Sequence, residues 1–210
     1  KETWKKLEAL PLIPQERIWF HCASLGEFEQ ARPLIDAIKT QQPNAFIAVS
    51  FFSPSGYTIR KNYALADVVF YLPADTPSNA KRLVDTLKPT TVFWVKYEYW
   101  YFMLSAIHAQ KIPNYLVSSI FRKEQPFFGV WGDFFRQQLA FFSKIFVQDE
   151  ASKTLLRTIG ISAIVSGDTR FDRVAAIAKE AKAIANIAAF CENHPIMIAG
   201  STWDTDIEKL

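Results

Sequence analysis

Apolar runs of strand length alternate with longer stretches of helical period along nearly the whole chain, and that alternation leaves few folds open. A strand covered on both faces reads as a continuous apolar run, whereas an amphipathic helix places apolar residues three and four apart. Runs of the first kind occupy residues 17–22, 45–51, 67–71, 91–95, 114–117, 144–147 and 163–166. Helix-compatible stretches separate them. Over 26–39, for example, Phe28, Ala31, Leu34, Ile35 and Ile38 recur at helical spacing. Repeated strand–helix units predict an α/β chain built on a Rossmann-like, doubly wound parallel sheet. Ligands of such sheets bind beyond the carboxyl ends of the strands, so the residues just after each strand are the first candidates for function.

The far end reads differently. Residues 169–193 are Ala-rich and helical, 195–199 offer one more strand, and Gly200-Ser201-Thr202 lead into a polar helix start. The expected division is an amphipathic segment over 1–15, an α/β domain over 16–192, and over 193–210 the opening unit of a second, truncated domain. The chain starts at Lys1 and stops within that last helix, so both ends read as cut.

Composition narrows the partners. A formal charge of +3 does not demand nucleic acid, and basic patches interleaved with aromatics, as single-strand binders have, are not evident. The charge suits an anionic substrate or an acidic membrane surface. Cys22 and Cys191 give no disulfide framework and fit a reducing compartment. His21, His108 and His194 stand too far apart for a zinc motif, so no metal site is expected. No window of about eighteen apolar residues occurs that would span a bilayer. Neither GxGxxG nor GxxxxGK[ST] is present, which argues against a nicotinamide or P-loop site.

Several segments place polar groups after strands. His21-Cys22-Ala23-Ser24-Leu25-Gly26-Glu27 runs from a strand through small residues into a helix. Gly26 permits close approach of a ligand, Ser24 can cap the helix, and Glu27 either complements the helix N-terminus or accepts the proton of an attacking hydroxyl. Lys96 and Glu98 follow the fourth strand, where they either pair, lie in solvent or meet an acidic sugar or its phosphate. Phe127, Phe128, Trp131, Phe134, Phe135, Leu139 and Phe142 form an aromatic stripe that reads first as core, with acyl chains or a membrane as the other reading. Residues 1–10, with Trp4, Leu7 and Leu10 set against lysines, suit an anionic membrane surface.

In their order these segments resemble the 3-deoxy-D-manno-octulosonic acid (Kdo) transferases of lipopolysaccharide synthesis. Residues 21–27 look like the family's H-x-A-S-x-G-E, whose glutamate is the proposed base. Ser53-Pro54-Ser55-Gly56 is similar to the family's small-residue turn after the second strand. Residues 166–172 match G-[ND]-x-K-F-D with Arg170 in place of lysine, and Gly200-Ser201-Thr202 match the G-S-T that opens the donor domain. The chain departs from E-T-E-x-W-P-N, keeping only Glu98 and Trp100 of it, with Lys96 where the first acid stands. Trp203 occupies a position where histidine is common.

The resemblance implies the N-terminal, acceptor-binding half of a two-domain GT-B glycosyltransferase. It would be inverting and free of metal and cofactor, moving Kdo from CMP-Kdo to a lipid A precursor at the cytoplasmic face of the inner membrane. A membrane anchor would precede the catalytic part. The implied base is Glu27. Implied acceptor contacts are Ser24, Gly26, Ser53, Gly56 and Glu98, and implied donor contacts are Ser201 and Thr202. The competing readings are a nucleotide-sugar epimerase of the same fold and a non-catalytic module that binds phosphoglycolipid.

Overall fold

In the computed structural model, which describes residues 2–11, 16–181, 184–191 and 194–208, every apolar run of the first 166 residues forms a strand of one sheet. The strands are β1 (Arg17–Cys22), β2 (Phe46–Phe51), β3 (Val68–Tyr71), β4 (Thr91–Val95), β5 (Asn114–Ser119), β6 (Lys144–Val147) and β7 (Ile164–Val165). All pair in parallel, in the order β3-β2-β1-β4-β5-β6-β7. The chain therefore winds outward from β1 to β3, returns, and continues from β4 on the other side. The reversal between β1 and β4 opens a crevice at their carboxyl ends.

Strand residues alternate between two cores. Trp19, Phe70, Trp94 and Leu116 face α1 (Glu2–Glu8), α4 (Pro77–Leu87), α5 (Tyr101–Ala109), α6 (Asp133–Ala140) and α7 (Glu150–Thr158). Phe20, Cys22, Ile47, Val49 and Phe51 face α2 (Leu25–Gln41) and α3 (Pro54–Arg60). Burial of each large apolar side chain contributes about 1.5–3 kcal/mol, and Trp19, Phe20, Phe51, Phe70 and Trp94 are all fully buried.

Three expectations change in the structure. The apolar face of α1 is used by the protein itself: Leu7 is buried, Trp4 and Leu10 pack against the core, and Arg82 lies 4.2 Å from the Trp4 ring. A face so occupied is not available to a membrane. The aromatic stripe splits, with Phe127, Leu139 and Phe142 buried while Trp131 is 92% exposed and Phe134 54%. Residues 195–199 form no strand, because an extended run holds its shape only through the hydrogen bonds of a neighbouring strand.

Two compact units divide the chain, Lys1–Val174 and Ala175–Leu210. The Ala-rich stretch supplies α8 (Thr169–Glu180) and α9 (Ala185–Cys191), and a short α10 (Asp204–Ile207) follows in the second unit. The start of α8 is tied to the first unit. Thr169 Oγ1 donates to the Gln30 carbonyl at 2.8 Å, and Arg173 reaches Glu29, whose carboxylate also binds Arg32 and Arg60.

Candidate functional site at the strand crossover

The loop after β1 is short, and its backbone groups must find partners before α2 begins. Ser24 is the N-cap residue in extended conformation (φ −135°, ψ 172°), and Glu27 stands three positions on. The Glu27 side chain folds back so that Oε2 accepts the N–H groups of Ala23 at 2.5 Å and Ser24 at 3.2 Å, the acidic half of a capping box. Its Oε1 makes no hydrogen bond among the described residues and is not enclosed. The loop after β2 is stitched alongside: Ser53 N–H donates to the Ala23 carbonyl at 2.7 Å, and Ser53 Oγ caps α3 by accepting from Ser55 N–H at 3.3 Å.

Across the crevice, Lys96 ends β4 in the left-handed region (φ 69°) and donates its N–H to the Val117 carbonyl at 2.9 Å. For a residue with a side chain that conformation costs about 1 kcal/mol or more. Ser118 (φ 54°), near the end of β5, and Gly167 (φ 77°), after β7, also adopt positive φ. Three of the seven positive φ angles among the described residues thus lie at carboxyl ends of strands, and three others, at Lys88, Lys111 and Gly160, lie in the turns that lead into β4, β5 and β7. The Lys96 turn delivers Glu98, only 8% exposed, to the rim of a depression lined by Ala23, Phe52, Tyr97, Tyr99 and Trp100. Glu98 Oε2 accepts from Trp100 Nε1 at 2.5 Å and lies 3.1 Å from His21 Nε2.

Electrostatics distinguish the acids of this edge. Burial, and then the charge of Glu98, push Glu27 up from 4.5 to about 7, against the pull of the Ala23 and Ser24 amides and of Lys96. A carboxylate of that kind is half protonated near neutrality and is a far stronger base than an exposed one. Burial also pushes Asp168 up, but the Arg170 side chain and amide outweigh it and hold that carboxyl below its ordinary range.

The structure brings Ser24, Gly26, Glu27, Ser53 and Glu98 to the crossover of β1, β2 and β4. Gly26 is exposed, and a Cβ there would meet only Ser24 Oγ, at 4.0 Å. Gly56 also has a packing task. It is buried, and a Cβ there would meet the Phe51 ring at 2.2 Å and the Leu25 amide nitrogen at 3.2 Å, so the glycine lets α3 pack against the start of α2. Ser201 and Thr202 are exposed in the second unit. Sequence reasoning missed Ser50, which contacts both Trp19 Nε1 and His21 Nδ1 at 2.8 Å. The signal was present, since Ser50 is the one hydroxyl in the apolar run of β2.

The order and parallel sense of the strands define a Rossmann-like domain of the GT-B kind. Solved structures agree on the fold. UDP-GlcNAc 2-epimerase from Neisseria meningitidis bound to UDP-GlcNAc aligns with a TM-score of 0.61 at 16% identity, over 84% of this chain and 53% of that one. The enzyme from Methanocaldococcus jannaschii aligns with a TM-score of 0.59 at 17% identity, over 87% and 54%.

Residues 2–173 match the family described as "3-Deoxy-D-manno-octulosonic-acid transferase (kdotransferase)", and the chain belongs to that family. The 3-deoxy-D-manno-octulosonic acid transferase of Rickettsia felis is 26% identical over 198 residues, 92% of this chain and 42% of the relative. That of Aquifex aeolicus is 31% identical over 103 residues, 49% of this chain and 28% of the relative. The chain thus spans less than half the length of these curated relatives.

Proposed function

We propose that this chain is the acceptor-binding part of an inverting glycosyltransferase that moves Kdo from CMP-Kdo to a lipid A precursor, without a metal ion, and that Glu27 is its base. The observation that carries the reading is the carboxylate of Glu27, anchored through Oε2 to two backbone amides while Oε1 is left without a hydrogen-bond partner among the described residues. An acceptor hydroxyl would give its proton to Oε1 as its oxygen bonds to the anomeric carbon of Kdo and the bond to the CMP oxygen breaks. A base is most effective when its proton affinity matches the working pH, and the value of about 7 at Glu27 meets that condition. Lys96, whose ammonium lies 5.7 Å from the Tyr97 ring centroid, is placed to meet the negative charge of an acidic sugar or phosphate. In this reading Ser24, Gly26, Ser53 and Glu98 surround the acceptor, and Ser201 and Thr202 belong to the donor side.

The test is transfer by a protein of the relatives' full length, incubated with CMP-Kdo and a tetraacylated lipid A precursor in the presence of EDTA. A lipid product heavier by Kdo supports the reading. Lipid binding with no product favours the silent module, and turnover of a nucleotide sugar with no lipid present favours the epimerase.

Among the described residues no helix is long and apolar enough to cross a membrane. Contact with the cytoplasmic face of the inner membrane would instead run through the exposed apolar group Val130, Trp131 and Phe134. Trp131→Ser is expected to weaken binding to phosphatidylglycerol–phosphatidylethanolamine vesicles by about tenfold, the loss of one buried indole. Unchanged co-sedimentation would remove this patch from the interface.

A further inference from the structure

A single hydrogen-bond chain runs through the core to the crevice. Trp19 and His21 are two apart on β1 and share one face, and Ser50 stands opposite His21 in the β1–β2 register. The links are Trp19 Nε1 to Ser50 Oγ (2.8 Å), Ser50 Oγ to His21 Nδ1 (2.8 Å), and His21 Nε2 to Glu98 Oε2 (3.1 Å). His21 and Ser50 are fully buried. The Trp94 and Trp100 rings pack edge-on against the imidazole, with centroids 4.9 Å and 6.1 Å from its own, and so hold the ring plane.

Donor chemistry gives this chain a direction. An indole N–H only donates, so the Ser50 oxygen accepts from Trp19. The one hydroxyl proton of Ser50 then goes to its remaining partner among the described residues, His21 Nδ1. Nδ1 is the bare nitrogen, and Nε2 carries the proton that is given to Glu98. With the ring proton on Nδ1 instead, two lone pairs would face each other across 3.1 Å. With protons on both nitrogens, the Ser50 hydroxyl would have no acceptor among the described residues.

We propose that His21 is a positioning residue: its Nε2–H, aimed by Ser50 and Trp19, clamps the Glu98 carboxylate at the crevice, where the charge of Glu98 acts on Glu27. The proposal rests on Glu27 being the base. His21 touches no substrate and acts through Glu98. The groups that bear on Glu27 are Glu98 and Lys96 from the segment after β4, Cys22 at the end of β1, and the amides of Ala23 and Ser24. The charge of Glu98 raises Glu27, so a Glu98 released toward water, where its charge is screened, lets Glu27 fall.

The experiment reads the acid limb of kcat/KM against pH for transfer by the full-length protein. Wild type should lose activity as pH falls through about 7. His21→Phe and Glu98→Gln should each move that limb toward lower pH by about one unit, and the double variant should move it no further than Glu98→Gln alone. Ser50→Ala, which keeps the imidazole and removes its aim, should shift the limb the same way by less, and it serves if His21→Phe does not fold. Nitrogen-15 spectra of the wild-type imidazole should show the proton on Nε2 and a bare Nδ1. A limb left at the wild-type position by both His21→Phe and Ser50→Ala, or a proton on Nδ1, overturns the positioning role. If Glu27→Gln retains wild-type transfer, the base assignment falls and takes this role with it. An inactive Glu27→Gln beside an unmoved His21→Phe limb removes the positioning role alone.

Discussion

Replacing Glu27 with Gln is expected to lower kcat for Kdo transfer by about 10²–10⁴-fold, the range for loss of a general base, while making the fold harder to unfold at pH 8. The carbonyl of Gln can still accept the Ala23 and Ser24 amides that Glu27 Oε2 now holds, so the start of α2 should survive. Stability should move the other way from activity. The Glu27 carboxyl is raised in the folded protein from 4.5 to about 7, so it favours folding fully only below about 4.5, and that contribution is lost as pH rises through 7. At pH 8 the native protein must keep a charge in a half-buried site beside Glu98, and Glu27→Gln need not. Discounted for partial solvent exposure, the variant should gain about 1–2 kcal/mol over wild type at pH 8 and nothing at pH 4. Urea unfolding at the two pH values checks this. Equal curves at pH 8 would mean that the site does not strain the carboxylate.

Gly56→Ala should cost about 1–3 kcal/mol, as overpacking of a filled core does, and lower Tm by about 5 °C. The added methyl would have to displace the ring of Phe51, which is fully buried and packed 5.5 Å from Phe28, or the backbone at Leu25. Neither can move freely. Leu25 is the first residue of α2, two positions before Glu27, so relief of the clash by backbone movement should reduce transfer as well. Thermal unfolding followed by circular dichroism measures the first effect. An unchanged Tm would show that α3 is not seated as tightly as its glycine implies.

The strands were legible because a sheet covered on both faces leaves little choice of residue: β1 and β4 read as mainly apolar runs, broken only by Arg17, His21 and Thr91. Their parallel arrangement followed from the helices between them, whereas the place of Glu27 after the first strand fitted a helix cap as well as a base, and only the family resemblance implied the base. What a local pattern does not encode is which distant partner a side chain meets. His21 and Glu98 are 77 residues apart, and only the crossing of β1 beside β4 joins them. The same limit explains the aromatic stripe, because Phe127 and Trp131 have equal claims to a core by composition and opposite environments in space. Gly56 shows it in another form. A glycine announces that something comes close, but the sequence alone did not say whether that was a ligand or, as here, the ring of Phe51.

One oxygen of the side chain at 27 answers to the backbone and the other has no hydrogen-bond partner among the described residues, so the position carries a structural demand and, in the proposed role, a chemical one. Glutamine would satisfy the architecture and, in the proposed base role, fail the chemistry, while aspartate, one methylene shorter, would reach the amides less well. Under that proposal a library screened for folding should keep both Glu and Gln at 27, and one screened for transfer should keep Glu.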